Sequence, residues 1–105
     1  MNQFIVIGKV AEAPKVKETS TGIKYTQLMI DANRSYKNKE GAYDVDRFCI
    51  TLWKSLAEEC CNNVDPGDAL LIKGRVQSNN FEKDGEVYYK SEMIGEKVSL
   101  LSQLF

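Results

Sequence analysis

Residues 47–76 read RFCITLWKSLAEECCNNVDPGDALLIKGRV, and this stretch decides the fold. Its first seven residues alternate, which predicts a β-strand with one core face. The core face is expected to hold Phe48, Ile50 and Leu52. The opposite face is half polar and ends in the only tryptophan of the chain. It consists of Arg47, Cys49, Thr51 and Trp53.

A helix and another strand follow within the same stretch. Ser55 is expected to cap a helix over 55–61, because Glu58 stands three residues later, as in a capping box. An Asp-Pro-Gly sequence at 65–67 ends this helix. We expect the next strand over 69–76. One of its faces holds Leu70, Ile72, Gly74 and Val76, and the other continues through Lys73, Arg75, Gln77, Asn79 and Phe81.

Strand signals flank this stretch on both sides. Residues 4–7 are apolar at every position, which predicts a strand buried on both faces, either in a closed sheet or at a subunit contact. A second strand is expected from 23 to about 34. Asp84 and Gly85 predict a hairpin tip, followed by a strand over 87–94 and a separate apolar stretch over 98–105. Tyr88 and Tyr89 take opposite faces of that strand, so one of them is expected in the core.

Five strands with one helix between the third and the fourth is the order of an OB-fold. We therefore predict an all-β fold with one short helix, a five-stranded Greek-key barrel built as a single domain over residues 1–105. Hairpins and one helix could also form another α+β arrangement, and the pattern alone leaves that alternative open.

The composition limits the kinds of chemistry that this chain can perform. The chain has no histidine, the commonest acid/base at neutral pH and the commonest metal ligand, so we expect no enzyme, no metal site and no cofactor. The cysteines lack the spacing of a zinc or redox motif and are interpreted as reduced thiols; they are Cys49, Cys60 and Cys61. No stretch has the pattern of a signal peptide or the roughly 18 apolar residues of a membrane span. A cytoplasmic protein without membrane contact is expected.

Short motifs along almost the whole chain resemble, in the same order, those of the bacterial single-stranded DNA-binding proteins. The matching motifs are FIVIGKV (4–10), Pro14, TG (21–22), ANR (32–34), LWK (52–54), LAE (56–58), KGRV (73–76), DG (84–85) and SE (91–92). The resemblance implies an OB-fold that binds single-stranded DNA without sequence preference in replication, repair or recombination. It also implies a homo-oligomer, a dimer or a tetramer. Because the first strand is apolar on both faces, we expect it to form the dimer seam.

The resemblance carries over to particular residues. Bases of the DNA are expected to stack on Tyr36, Trp53 and Phe81. The expected phosphate partners are Arg34, Lys54, Lys73 and Arg75. Arg47 is added to these DNA contacts, although the family often has an aromatic residue at its position. Either one stacking platform is missing there or a bulge moves it to Phe48.

The sequence also departs from the family, since the acidic C-terminal tip that recruits other replication proteins has no counterpart before Phe105. This departure keeps a second interpretation open, an adaptor that resembles the primosomal replication protein N and acts mainly through replication or primosome proteins. The net charge of −1 divides into +4 over residues 1–39 and −5 over residues 40–105. Binding is therefore expected to depend more on stacking than on charge, with a shallow salt dependence.

Overall fold

The computed structural model describes residues 1–101, which form eight strands and one helix. In chain order these elements are β1 (Phe4–Val10), β2 (Lys17–Glu18), β3 (Lys24–Lys37), β4 (Tyr43–Trp53), α1 (Ser55–Asn63), β5 (Ala69–Ser78), β6 (Phe81–Lys83), β7 (Glu86–Tyr88) and β8 (Ser91–Leu100).

Five of these strands close into a barrel. β1 pairs antiparallel with both β3 and β5, and β3 pairs antiparallel with β4. β8 completes the circuit, antiparallel to β5 and parallel to β4. The predicted OB-fold is confirmed, and the other α+β arrangement is excluded. The short strands β6 and β7 form a separate hairpin between β5 and β8.

β1 closes the barrel by changing its partner along its length. Its residues 4–9 pair with β5, and Lys9 and Val10 pair with β3. Gly8 lies at this crossing, where a Cβ atom would overlap the carbonyl oxygen of Asp31 and stand 2.6 Å from Cγ2 of Ile30. The missing side chain is therefore what allows β1 and β3 to approach each other.

The barrel interior is filled by branched aliphatic side chains from β3, β4 and β5, and α1 covers it with Ala57 and Cys60. The fully buried members are Leu28, Ile30, Ile50, Leu52, Leu70 and Ile72. Each contributes on the order of 1.5–3 kcal/mol through burial. The predicted core face of β4 is confirmed, with Phe48 partly buried against the cluster.

The predicted capping box is wrong. Ser55 is the first residue of α1, and the N-cap is Lys54, whose side chain makes no capping hydrogen bond. The Glu58 carboxylate lies 2.8 Å from Nζ of Lys24 in β3, so it does not turn back to the helix start. The N–H of Lys54 donates to the carbonyl of Lys24 at 2.7 Å, and Lys54 has a positive φ of 58° with ψ of −132°.

The prediction for the last strands is also wrong in part. The strand expected over 87–94 is divided between β7 and β8, and β8 takes in Val98 from the supposedly separate final stretch, whose residues 102–105 lie outside the described part. Tyr88 and Tyr89 are both exposed, because they lie at the end of the outer hairpin and beyond it, away from the barrel interior. The expectation that one of them belongs to the core is therefore contradicted.

Candidate nucleic-acid interface

The outer face of the β3–β4 ladder brings several predicted site residues together. The register places Asp31 opposite Arg47, Met29 opposite Cys49 and Tyr25 opposite Trp53. These pairs alternate with the buried pairs of the barrel, as the polarity of β4 predicts. Arg47 and Trp53 therefore lie on one outer surface. Phe48 points to the core side, so no bulge moves it to this surface.

Trp53 is the aromatic residue of this surface that the sequence indicated, and the structure adds a second one. The rings of Trp53 and Tyr25 lie 5.2 Å apart between centroids, with an angle of 35° between their planes. Trp53 remains 37% exposed. Tyr25 was missed because its place depends on the register of β3 against β4, which the sequence did not define.

Phe81 belongs to a second aromatic pair, on the β6–β7 hairpin. Its ring stacks on that of Tyr88 with centroids 5.1 Å apart and an interplanar angle of 13°. Asp84 and Gly85 form the two-residue turn, both with positive φ, and this turn sets Phe81 opposite Tyr88. Pairing residues outward from a two-residue Asp-Gly turn places Tyr88 opposite Phe81, so the turn signal in the sequence is sufficient to predict this aromatic pair.

Tyr36 stands apart from both aromatic pairs. It lies near the end of β3, in the β3–β4 arm, which we define as residues 33–45. Within this arm the β3–β4 register shifts between Asn33 and Lys37. Its side chain is 64% exposed. The neighbouring Lys37 places its Nζ 5.8 Å from the ring centre of Tyr43 across the arm. The arm thus presents aromatic and cationic groups beyond the barrel.

A groove of about 570 Å³ runs between β4 and the start of β8, beside the base of the β6–β7 hairpin. Thr51 and Glu92 both line this groove, and the Thr51 hydroxyl donates a hydrogen bond to Oε1 of Glu92 at 3.0 Å. Its lining includes Gln27, Arg47, Cys49, Asn79, Lys90 and Glu92. The groove therefore connects the β4 surface with the hairpin. Its polar groups carry both signs of charge.

Arginines and lysines among the predicted phosphate partners differ in what they contact. Arg47 donates to both carboxylate oxygens of Asp31, at 2.7 and 2.9 Å. Arg34 donates to both oxygens of Asp46 at 3.0–3.2 Å and lies 3.6 Å from Asp44.

Arg75 contacts Glu96 at 3.3 Å and Gln77 at 3.0 Å. Lys54 and Lys73 make no side-chain hydrogen bond or ion pair within residues 1–101. The arginines are thus already bonded to carboxylates, and the two lysines are not.

The ion pairs shift the titration of their members. Hydrogen bonds from Arg47 hold the pKa of the Asp31 carboxyl below its ordinary value, against the smaller opposite effect of desolvation. The same contacts raise the pKa of Arg47, and those with Asp46 raise the pKa of Arg34. Asp31, Arg34 and Arg47 are therefore charged at neutral pH.

Lys73 and Arg75 lie on a different side of the barrel from Trp53. Both are on β5, which β8 separates from β4. Lys73 pairs with Ile5 of β1 on one side and with Lys97 of β8 on the other. The predicted residues therefore divide into a β3–β4 group, the hairpin with Phe81 and a β5 group.

Two of the three thiols are held in the protonated form at neutral pH. All three cysteines are free. Burial raises the pKa of Cys60 to about 11, and partial burial also raises the pKa of Cys49, so both stay protonated. Within residues 1–101, no cluster of three or more acidic or cysteine side chains is arranged to hold a metal ion. In the same residues, no helix is long and apolar enough to cross a membrane.

A closed OB barrel that presents exposed aromatic pairs and cationic groups around a surface groove belongs to the class of OB-fold nucleic-acid-binding domains. Comparison with known sequences agrees with this class. The profile of the Single-strand binding protein family matches residues 1–101, and the chain belongs to that family.

The similar proteins carry related names. The chain is 29% identical over 100 residues to "Single-stranded DNA-binding protein 1" of Streptococcus pyogenes serotype M6, covering 95% of this chain and 76% of that protein. It is 29% identical over 102 residues to "Single-stranded DNA-binding protein 3" of Listeria innocua, covering 96% of this chain and 64% of that protein. A third relative, the "Single-stranded DNA-binding protein" of Oceanobacillus iheyensis, is 28% identical over 102 residues, or 63% of its length.

Proposed function

We propose that this chain binds single-stranded DNA without sequence preference and protects it during replication, repair or recombination. The observation that carries the proposal is the presence of two aromatic pairs with exposed ring surface, Trp53 tilted against Tyr25 and Phe81 stacked on Tyr88. Stacking on such rings accepts any base and contributes about 1–3 kcal/mol per base. Family membership and the names of the relatives support the same function.

The phosphate contacts are proposed for the cations near these stacks. Lys54 follows Trp53 directly, and Arg47 lies on the same outer surface at the groove. Tyr36 and Arg34 extend this surface along the β3–β4 arm. Lys73 and Arg75 on β5 would contact DNA that continues around the barrel. The protein acts in this proposal by binding alone, without catalysis.

The outer face of β1 supports the proposal of a homo-oligomer, a dimer or a tetramer. Ile5 and Ile7 are 60% and 56% exposed on a strand whose other face packs into the barrel. A second copy would remove this apolar row from water. Replacing Ile7 by Glu is expected to lower the mass observed by sedimentation equilibrium, and an unchanged mass would contradict the seam.

The adaptor alternative is not favoured, because the matched relatives are named for single-stranded DNA binding. Replication or primosome proteins remain proposed as additional partners, and a cytoplasmic location is part of the same proposal. Neither is needed for the DNA contacts described above.

A fluorescence titration tests the proposed function. Trp53 is the only tryptophan, so its emission reports directly on the candidate surface. Oligo(dT) at low salt is expected to quench it, and added salt is expected to restore it. Duplex DNA of the same length is the control and should quench much less. The decisive protein concentration is on the order of tens of micromolar, which is within the range of weak, non-specific nucleic-acid binding. The proposal would be refuted if, at that concentration, oligo(dT) neither quenched the fluorescence nor shifted in a gel.

A further inference from the structure

The Arg47–Asp31 pair has the geometry with which an arginine binds a phosphate. A guanidinium group uses two parallel N–H donors toward a carboxylate, and it uses the same donors toward a phosphate. Here the donors are Nε and one terminal nitrogen of Arg47, at 2.7 and 2.9 Å from the two oxygens of Asp31. A phosphate that reaches Arg47 in the same way must therefore take the place of Asp31.

Arg34 is held in the same manner. Nε and one terminal nitrogen contact Asp46 at 3.0–3.2 Å, and a second carboxylate, that of Asp44, lies 3.6 Å away. The Arg75–Glu96 contact is a weaker case, with one ion-pair distance of 3.3 Å. The side chains of these pairs are 29–60% exposed, so a strand of DNA can reach them.

The exchange changes the electrostatics of binding. A cation without a protein partner neutralises a phosphate and releases its counterion, which makes affinity fall with salt. A guanidinium that leaves a carboxylate for a phosphate leaves the carboxylate charge behind. The interface then keeps one uncompensated negative charge, and the gain in both affinity and salt sensitivity is reduced.

We propose that Asp31 and Asp46 are internal competitors of the DNA phosphates, holding Arg47 and Arg34 until a phosphate displaces them. The two carboxylates thereby weaken binding and flatten its salt dependence. This inference rests on the proposed function, since it concerns how the same surface accepts its ligand. It assigns acidic residues a role in setting the affinity for single-stranded DNA.

The variant Asp31→Asn tests the inference, because it removes the charge and keeps an oxygen that Arg47 can contact. Glu59→Gln is the matched control, since it changes the net charge equally but lies exposed on α1, with no side-chain ion pair in the described chain. Affinity is measured by the anisotropy of labelled oligo(dT) over a salt series. Thermal unfolding checks that both variants are folded, and Asp46→Asn is an independent second variant.

Asp31→Asn is expected to bind roughly two- to fivefold more tightly than the control variant. Its plot of log K against log salt is expected to steepen by up to about 0.7. The inference would be overturned if both Asp variants bound more weakly or showed an unchanged salt slope. The carboxylates would then serve to orient the arginines. If the wild-type protein fails to bind oligo(dT), the proposed function fails, and the inference fails with it. If the wild type binds and the Asp variants match Glu59→Gln, only the inference fails.

Discussion

The aromatic residues and the arginines of this protein are both paired within the folded chain, but the pairs differ in what they leave open. Trp53 rests on Tyr25 and Phe81 rests on Tyr88, and each ring pair still has exposed surface. A base can therefore add to such a stack without displacing anything.

An arginine in a two-pronged contact has the edge formed by Nε and one terminal nitrogen occupied. On Arg47 this edge is directed at Asp31. A phosphate that uses this edge must break one ion pair to make another, and the net gain is small. The comparison teaches that the aromatic rings keep open surface in the free protein, whereas all three arginines are already paired with carboxylates.

The largest effect should come from the exposed tryptophan. Trp53→Ala is expected to weaken binding by about 1–3 kcal/mol, equally for oligo(dT), oligo(dA) and mixed sequences, because a ring stacks on any base. Trp53→Phe keeps a ring against Tyr25 and should retain most of the affinity. Anisotropy of labelled oligonucleotides measures both variants. A loss confined to one base would contradict stacking as the role of this ring.

The hairpin stack should give a similar effect at the lower end of this range. Phe81→Ala removes the ring that lies parallel to Tyr88 and is expected to cost about 1 kcal/mol of binding. Tyr88→Phe preserves the stack and removes only the hydroxyl, which lies 3.3 Å from Glu86. The same anisotropy assay should show no change for Tyr88→Phe. Equal losses in the two variants would show that the hairpin is needed for its shape and not for its aromatic surface.

Removing an arginine should matter less than removing a platform. Arg47→Ala is expected to weaken binding by less than about fivefold, part of which arises because Asp31 is left unpaired at the surface. The double variant with Asp31→Asn should therefore bind more tightly than Arg47→Ala alone. A loss for Arg47→Ala as large as that of Trp53→Ala would reverse the comparison between stacking and charge.

The smallest predicted effect concerns the titration of Asp31 in the free protein. Because Arg47 lowers the pKa of Asp31 in the folded state, the pair stabilises the fold fully above the ordinary aspartate value of about 3.9. This contribution declines as the pH falls and is lost as the pH passes through the lowered folded value. Carboxyl NMR should show Asp31 titrating below the ordinary value in wild type and close to it in Arg47→Ala. The same titration curve in both proteins would mean that the pair does not persist in solution.

The sequence predicted what depends on polarity along one strand. Alternation over 47–53 was enough to place Phe48, Ile50 and Leu52 toward the core and Trp53 outside, and the order of elements was enough for the barrel. The polarity pattern did not predict which residues contact each other between strands, because those contacts depend on the register of the strands. The ion pair of Arg47 joins residues 16 positions apart, across an arm whose register shifts.

Two local predictions failed for different reasons. Ser55 and Glu58 have the spacing of a capping box, but Lys24 of β3 forms an ion pair with the Glu58 carboxylate, so a tertiary contact decided that outcome. The polarity of residues 87–94 fits a single strand, but the hairpin closed by Asp84 and Gly85 ends at Tyr88, before β8 begins. In this second case one local signal, the turn, outweighed another, the polarity.

The salt dependence of oligo(dT) binding to the wild-type protein tests the central claim most directly. If only Lys54 and Lys73 neutralise phosphates without an exchange, the slope of log K against log salt per protomer should be close to −1.4, at about −0.7 for each phosphate. If Arg34, Arg47 and Arg75 contributed fully as well, the slope would be close to −3.5. A slope near the first value is the result we predict. A slope near the second would show that the arginines act as independent cations, and it would contradict the account.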